Sequence, residues 1–296
     1  MNYDTSDSDF QSVLERVRSM YSIDEENITH IIVTHFNIRF HVPHRGREIK
    51  RTWKRPLMKE PFAKEYMDSR IKLFENFCYP SMLNQTSQNF HWFVYFDRET
   101  PLEWYCKFDR IIPIYLYGDE CFSYKKHLIN EVLRRDMLRD KKWIIYTKLD
   151  NDDSLSKDWV EDLQKTWIPV TRSLHMSHSF VNYNDGLLFI KRDKNRYLFN
   201  HKDRYNPFVN SLERVTKESH KGDMVTSNIC THNQMLGSIY PQKVIRASDP
   251  RHPMYLINDQ KHNLCNRNNK INDGKNTKKS LEYIEEYFGI KKECLK

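Results

Sequence analysis

Trp143-Ile144-Ile145-Tyr146-Thr147-Lys148-Leu149-Asp150-Asn151-Asp152-Asp153 is the stretch on which the reading of this chain turns. The apolar, β-branched and aromatic run over residues 143–149 predicts a buried strand. It stops at three carboxylates around one amide. Groups at the carboxyl end of a strand in an α/β sheet stand where such sheets bind ligands. Carboxylates this close repel one another unless a cation joins them. Hard oxygen ligands suit Mg²⁺ or Mn²⁺, with positions left for substrate phosphates. The same residues also read as a solvated turn in which Asp153 or Ser154 caps a helix starting near Lys157. One stretch can do both.

Working outward, residues 30–36 predict a first strand, followed at once by Asn37, Ile38 and Arg39. Residues 90–96 predict a second strand ending in Asp97, and residues 111–117 a third. Helical periodicity covers residues 62–84, where Pro80 marks a kink or break, and residues 123–140, with Ser123 as the N-cap. A further helix follows over 157–167, flanked by Trp159 and Trp167. This alternation predicts an α/β fold with a mainly parallel central sheet flanked by helices. In a parallel sheet the polar ends at Asn37/Arg39, Asp97/Arg98 and residues 150–153 lie on one edge and can converge on one ligand.

Later segments are less regular. Residues 180–183 and 186–190 read as short strands around the turn Asn184-Asp185-Gly186. Asn206-Pro207-Phe208 opens a turn into Ser211-Leu212-Glu213, with Glu213 reading as a helix-start carboxylate. Residues 253–258 read as a last strand or a packing segment, 258–280 as an Asn- and Lys-rich mobile stretch, and 279–289 as a terminal helix. Near the start, Phe10, Val13, Leu14, Val17 and Met20 have the spacing of a short amphipathic helix. Residues 41–61 are a basic stretch with several prolines. It is a solvated loop, or a loop over a diphosphate or an anionic membrane surface.

With 296 residues, 39% apolar and 13% aromatic, the chain can bury a large core. No apolar run is long enough to span a membrane, and the polar, acidic residues 1–10 do not read as a signal peptide. Six scattered cysteines without a C-x-x-C pair argue against a zinc or disulfide framework and suit a reducing cytoplasm. The formal charge of +8 suggests an anionic partner.

Several segments, in this order, carry a resemblance. They are Thr34-His35-Phe36-Asn37-Ile38-Arg39; the helix from Arg70 through Pro80-Ser81, with Gln85-Thr86 before Phe90-His91-Trp92; Asp97 with Thr100-Pro101; Leu149-Asp150-Asn151-Asp152-Asp153; Asn206-Pro207-Phe208 with Ser211-Leu212-Glu213; and, more loosely, residues 258–266. Together they resemble the rhamnosyltransferase-like family of GT-A fold glycosyltransferases. Where that family tends to read Arg-Leu-Asp, this chain has Lys148-Leu149-Asp150.

The resemblance implies a GT-A, nucleotide-diphospho-sugar transferase fold over 28–266. Residues 28–153 form its donor nucleotide half and 154–266 its acceptor half. Residues 1–27 are a helical extension, and 267–296 a flexible linker with a C-terminal helix. It implies transfer of a sugar, by inversion, to a glycan or lipid-linked acceptor hydroxyl. Mn²⁺ or Mg²⁺ stabilises the leaving diphosphate. Asp152 is then the main metal ligand, with Asp150 on donor hydroxyls and the metal, Asp153 behind them and His232 completing the shell. Thr34, Asn37, Arg39 and Asp97 hold the nucleotide. The acceptor's general base is Glu213 or Asp185, with Glu213 preferred.

Two rivals compete. A metal-dependent phosphoesterase or phosphoryl transferase would use the same carboxylates. A nucleic-acid-binding protein would use residues 41–61, but the basic charge is balanced by 40 acidic residues and no such motif is recognised, so nucleic acid is not an expected partner.

Overall fold

The computed structural model describes residues 1–37, 64–116, 124–192, 195–202, 208, 210–223, 243–260 and 277–295. In chain order its first half contains β1 (Asn2–Asp4), α1 (Ser8–Tyr21), β2 (Ile28–His35), α2 (Lys64–Leu73), α3 (Tyr79–Leu83), β3 (His91–Asp97), β4 (Ile112–Leu116), α4 (Tyr124–Arg134) and β5 (Trp143–Lys148). Then come β6 (Ser154–Leu155), α5 (Trp159–Asp162), α6 (Ile168–Ser173), β7 (His178–Tyr183), β8 (Asp185–Arg192), β9 (Asn195–Lys202), β10 (Asn210–Arg214), β11 (Val244–Ser248), β12 (Tyr255–Gln260), α7 (Leu281–Phe288) and α8 (Lys292–Leu295). No helix among the described residues is long and apolar enough to cross a membrane.

A large sheet runs β1-β11-β7-β10-β5-β2-β3-β4 and a smaller one β6-β12-β8-β9. The fold is α/β, as expected, but the sheets are mixed rather than mainly parallel. In the large sheet β10 runs against both its neighbours, β5 and β7. In the small sheet β6 and β9 run against β12 and β8. β10 shows why a periodicity reading misses this: Ser211-Leu212-Glu213, expected at a helix start, lies within a strand wedged between two others.

Apolar runs without alternation form the central strands because both faces are covered. Ile32, Trp92, Val94 and Ile145 face α1, the α2–α3 helix and the α5–α6 helix. Ile31, Val33, Phe93 and Ile144 face α4 through Leu128 and Val132. In α1 the buried face is narrower than expected: Leu14 is buried and Phe10 and Val17 pack on the core, but Val13 and Met20 are exposed. β1, not foreseen, adds itself to the sheet edge beside β11.

Two prolines are accommodated by one device. A π-helical turn, Phe74–Cys78, joins α2 to α3, and another, Leu163–Trp167, joins α5 to α6. Pro80 and Pro169 follow directly, each as the second residue of the next helix. The wider turn shifts the hydrogen-bond ladder just before a residue that has no N–H to give. Pro80 therefore neither ends nor breaks the helix.

Residues 180–183 and 186–190 form strands on either side of the expected turn, and β7 and β8 belong to different sheets, joined through Asn184. Gly186, just past this crossing, lies under the buried Tyr255 ring, and a Cβ there would come within 2.2 Å of it. That ring is held by Phe208 and His201. Gly186→Ala is expected to cost about 1–3 kcal/mol, as overpacking does, read as a lower midpoint in chemical denaturation. An unchanged midpoint would refute the close approach.

His30 is buried in the sheet, its Nε2 2.9 Å from Thr147 Oγ, whose hydroxyl donates at 2.9 Å to Asn210. Burial pushes its imidazole down to about 3, and that of His35, beside Lys148, down to about 4. Both lie below the usual 6.5, so between these values the unfolded chain holds the extra protons. Stability is then complete above 6.5 and is lost as pH falls toward 4 and 3. Urea unfolding from about pH 7 to about pH 4 should show this slope, and His30→Gln should flatten it. An unaltered slope in the variant would exclude His30 as a source.

Candidate functional site at the carboxyl edge

From β2 the chain steps outward to β3 and β4, then returns to place β5 on the other side of β2. β2 and β5 therefore flank a topological switch point, outside whose carboxyl ends open α/β sheets bind ligands. The residues just past these two strands are Phe36, Asn37 and 149–153.

An arginine ties these ends together. Arg70, on the buried face of α2, pairs with Asp152 Oδ2 at 3.1 Å and also donates to Asn151 Oδ1. Asn151 Nδ2 donates to Phe36 O at 2.9 Å, closing the link from β5 to β2. Arg70 is 6% exposed and Asp152 4%, so both charges are desolvated and each depends on the other. Burial pushes the Asp152 carboxyl upward against the pull of the guanidinium. Asp153 accepts from Asn258 N–H of β12 at 3.0 Å, joining the large sheet to the small one. Asp150 is the open member: its side chain is 38% exposed and lies 3.1 Å from Lys148 Nζ.

The cap reading of this stretch does not hold. α5 starts at Trp159 after Asp158, while Ser154 belongs to β6 and gives its hydroxyl to Phe77 O. The metal reading fits in chemistry, and in this structure each carboxylate faces a donor of the chain. Asp150 faces Lys148, Asp152 faces Arg70, and Asp153 takes a backbone N–H. Among the described residues no group of three or more His, Cys, Asp or Glu side chains could hold a metal ion. His232, the expected third ligand, lies outside the described residues, as do Arg39 and the basic stretch 41–61.

The described residues expected to hold the nucleotide have partners within the chain. Thr34 is buried and accepts from Trp92 Nε1 at 3.0 Å. Asn37 donates to Thr100 Oγ at 2.8 Å and accepts from Asp97 N–H at 3.2 Å, stitching the end of β2 to that of β3. Asp97 is fully buried and accepts from Glu99 N–H, shaping the turn after β3.

The two candidate bases separate clearly. Glu213 pairs with Ile144, near the amino end of β5, roughly 20 Å along the strand from Asp150 at about 3.3 Å per residue. The structure does not bring it to the carboxylate edge. Asp185 follows β7, whose carboxyl end shares that edge, two strand spacings from β5, a lateral distance of about 10 Å. It lines a cavity of ≈ 160 Å³ with Asp158, Asp162, Trp167 and His252. Ser248 Oγ donates to Asp185 at 2.6 Å, and burial raises its carboxyl above the usual range. Trp167 lines this cavity; Trp159 is buried behind it, against Tyr183.

Arg70 and Lys148 are the residues to which the sequence reading gave no role. Arg70 carried a signal: Tyr66, Arg70, Ile71 and Phe74 share one helical face, and an arginine on an apolar face requires a buried partner.

No curated protein matches the chain. Residues 36–270 match the family model described as "Putative rhamnosyl transferase", which covers most of the sequence, and the chain belongs to that family.

Proposed function

We propose that this chain is a glycosyltransferase of GT-A type. It moves a sugar, rhamnose first among the candidates, from a nucleotide-diphosphate donor to a glycan or lipid-linked acceptor hydroxyl, with inversion. One observation carries this beyond the family: Asp150, paired with Lys148, is an exposed carboxylate at the switch point of the sheet, and Asp185, which lines a cavity, follows the carboxyl end of β7 on the same edge.

In this reading Asp150 accepts hydrogen bonds from donor hydroxyls, and Lys148 meets the charge that develops on the leaving diphosphate. Arg70 and Asp152 hold the loop that presents them. The acceptor sugar occupies the cavity, whose polar lining by Asp158, Asp162 and His252 suits a polyhydroxylated ring. Asp185 takes the acceptor's proton; its raised carboxyl makes it a better base than an exposed one. The scheme routes no step through a divalent cation, since Asp150, Asp152 and Asp153 each face a donor of the chain.

Calorimetry with UDP, GDP, dTDP and CDP, each with Mn²⁺ and with EDTA, tests the donor half. One diphosphate should bind, and both Asp150→Asn and Lys148→Met should weaken it by about tenfold or more, as loss of a charge-assisted contact does. Dependence on Mn²⁺ would restore the metal to the scheme. If none of the four binds in either condition, the transferase reading fails.

A further inference from the structure

At the opposite end of the large sheet lies a second, larger cavity of ≈ 520 Å³. Lys141 and Lys142 lead into β5, Arg214 ends β10 directly opposite Trp143, and Arg172 and His175 come from the end of α6. All five line the cavity, and no carboxylate does. The fold gathers them: Arg214 N–H bonds Ser177 O and Val215 N–H bonds Lys142 O, so the ends of β5, β7 and β10 are locked side by side.

Some of this charge has a local purpose. Arg172 donates to the carbonyls of Tyr21 and Ser22, anchoring the end of α1, and a cation suits a helix C-terminus. Lys141 donates to Glu26 O. Lys142 and Arg214 have no such employment: both are exposed, and among the described residues neither has an ion-pair partner. His175 holds a left-handed backbone, φ 53°, just after the helix, where glycine is the unstrained choice. Like charges converging without acids repel until an anion joins them. Trp143, Tyr21 and Met176 supply apolar wall beside the cations, so the cleft suits an anion with an organic body.

We propose that this cleft is a second ligand site, for a phosphate group carried on an organic molecule, and that it is distinct from the carboxyl edge. Trp143 and Asp150 stand at opposite ends of β5, so the two sites are roughly 20 Å apart. The phosphate belongs to a free phosphorylated molecule or to the headgroup of an anionic lipid. The recognition chemistry is the same for both: forked guanidinium and ammonium donors on phosphate oxygens.

Two probes distinguish the sources. Inorganic pyrophosphate is titrated calorimetrically, and vesicles of phosphatidylcholine with about 30% phosphatidylglycerol are used in flotation. Each is applied to the unaltered chain, to Lys142→Ala/Arg214→Ala and to Lys148→Met. The double substitution should leave thermal stability unchanged, since both side chains are exposed, and should weaken binding by about tenfold or more. Lys148→Met, on the other edge, should leave the weakened component intact. Loss of pyrophosphate binding without vesicle binding identifies a free ligand, and loss of vesicle binding identifies a lipid headgroup. If neither probe binds, or the double variant binds both as the unaltered chain does, the proposal is overturned.

Discussion

Arg70→Met is expected to lower the free energy of unfolding by about 3–5 kcal/mol, the range for breaking a buried ion pair from one side. The substitution nearly preserves volume, so packing is not the cause. It strands Asp152, 4% exposed, and leaves the Asn151 side-chain oxygen without its donor. Asp152→Asn should be destabilising for the converse reason. Arg70→Met with Asp152→Leu should recover most of the loss, because apolar pairs often replace buried ion pairs at little cost. Urea unfolding of the three variants completes the cycle. A loss for Arg70→Met below about 1 kcal/mol, the value of an exposed pair, would mean that the link from β5 to β2 does not depend on this charge. Asp152→Asn is consequently a poor probe of metal binding by itself, since it removes a structural partner whether or not a cation is present.

Asp185→Asn is expected to reduce turnover by about 10²–10⁴-fold, the contribution of a positioned general base, while donor nucleotide affinity stays unchanged. Nucleoside diphosphate release from a nucleotide sugar reads the first effect and calorimetry the second. Activity should fall as pH drops through the raised value of this carboxyl, because a base must be deprotonated to act. Glu213→Gln should leave turnover within a few-fold, since Glu213 lies beside Ile144 and His178, near the opposite ends of β5 and β7 from the carboxyl edge. The opposite pattern, with loss in Glu213→Gln and none in Asp185→Asn, would place the acceptor elsewhere.

The parallel half of the sheet was legible in the sequence because its strands are buried on both faces and read as unbroken apolar runs. β2, β3, β4 and β5 came out within a few residues. β10 did not, since a five-residue strand with polar Ser211 and Glu213 carries no clear period. The turn at Asn184-Asp185-Gly186 was visible, but a turn motif does not say whether the strands it joins will pair. At the candidate site, the strand end carrying residues 150–153 was readable, but the partners of its carboxylates were not. Carboxylates in a row suggest a cation, and the cation facing Asp152 is Arg70, 82 positions away. Spacing along the chain carries no trace of such a partner; an arginine on an apolar helix face does. The three remaining expected ligand groups, Thr34, Asn37 and Asp97, stand at the anticipated strand ends but spend their polar atoms on the scaffold.

The crossing at Asn184 has a mechanical consequence. A single residue between β7 and β8 leaves no slack for one sheet to swing against the other, and the Asp153–Asn258 bond fastens a second point of the same seam. Domain closure over a substrate normally needs a hinge of a few residues free to change φ and ψ. At Asn184 the seam has none. The two sheets are therefore expected to move together at this crossing.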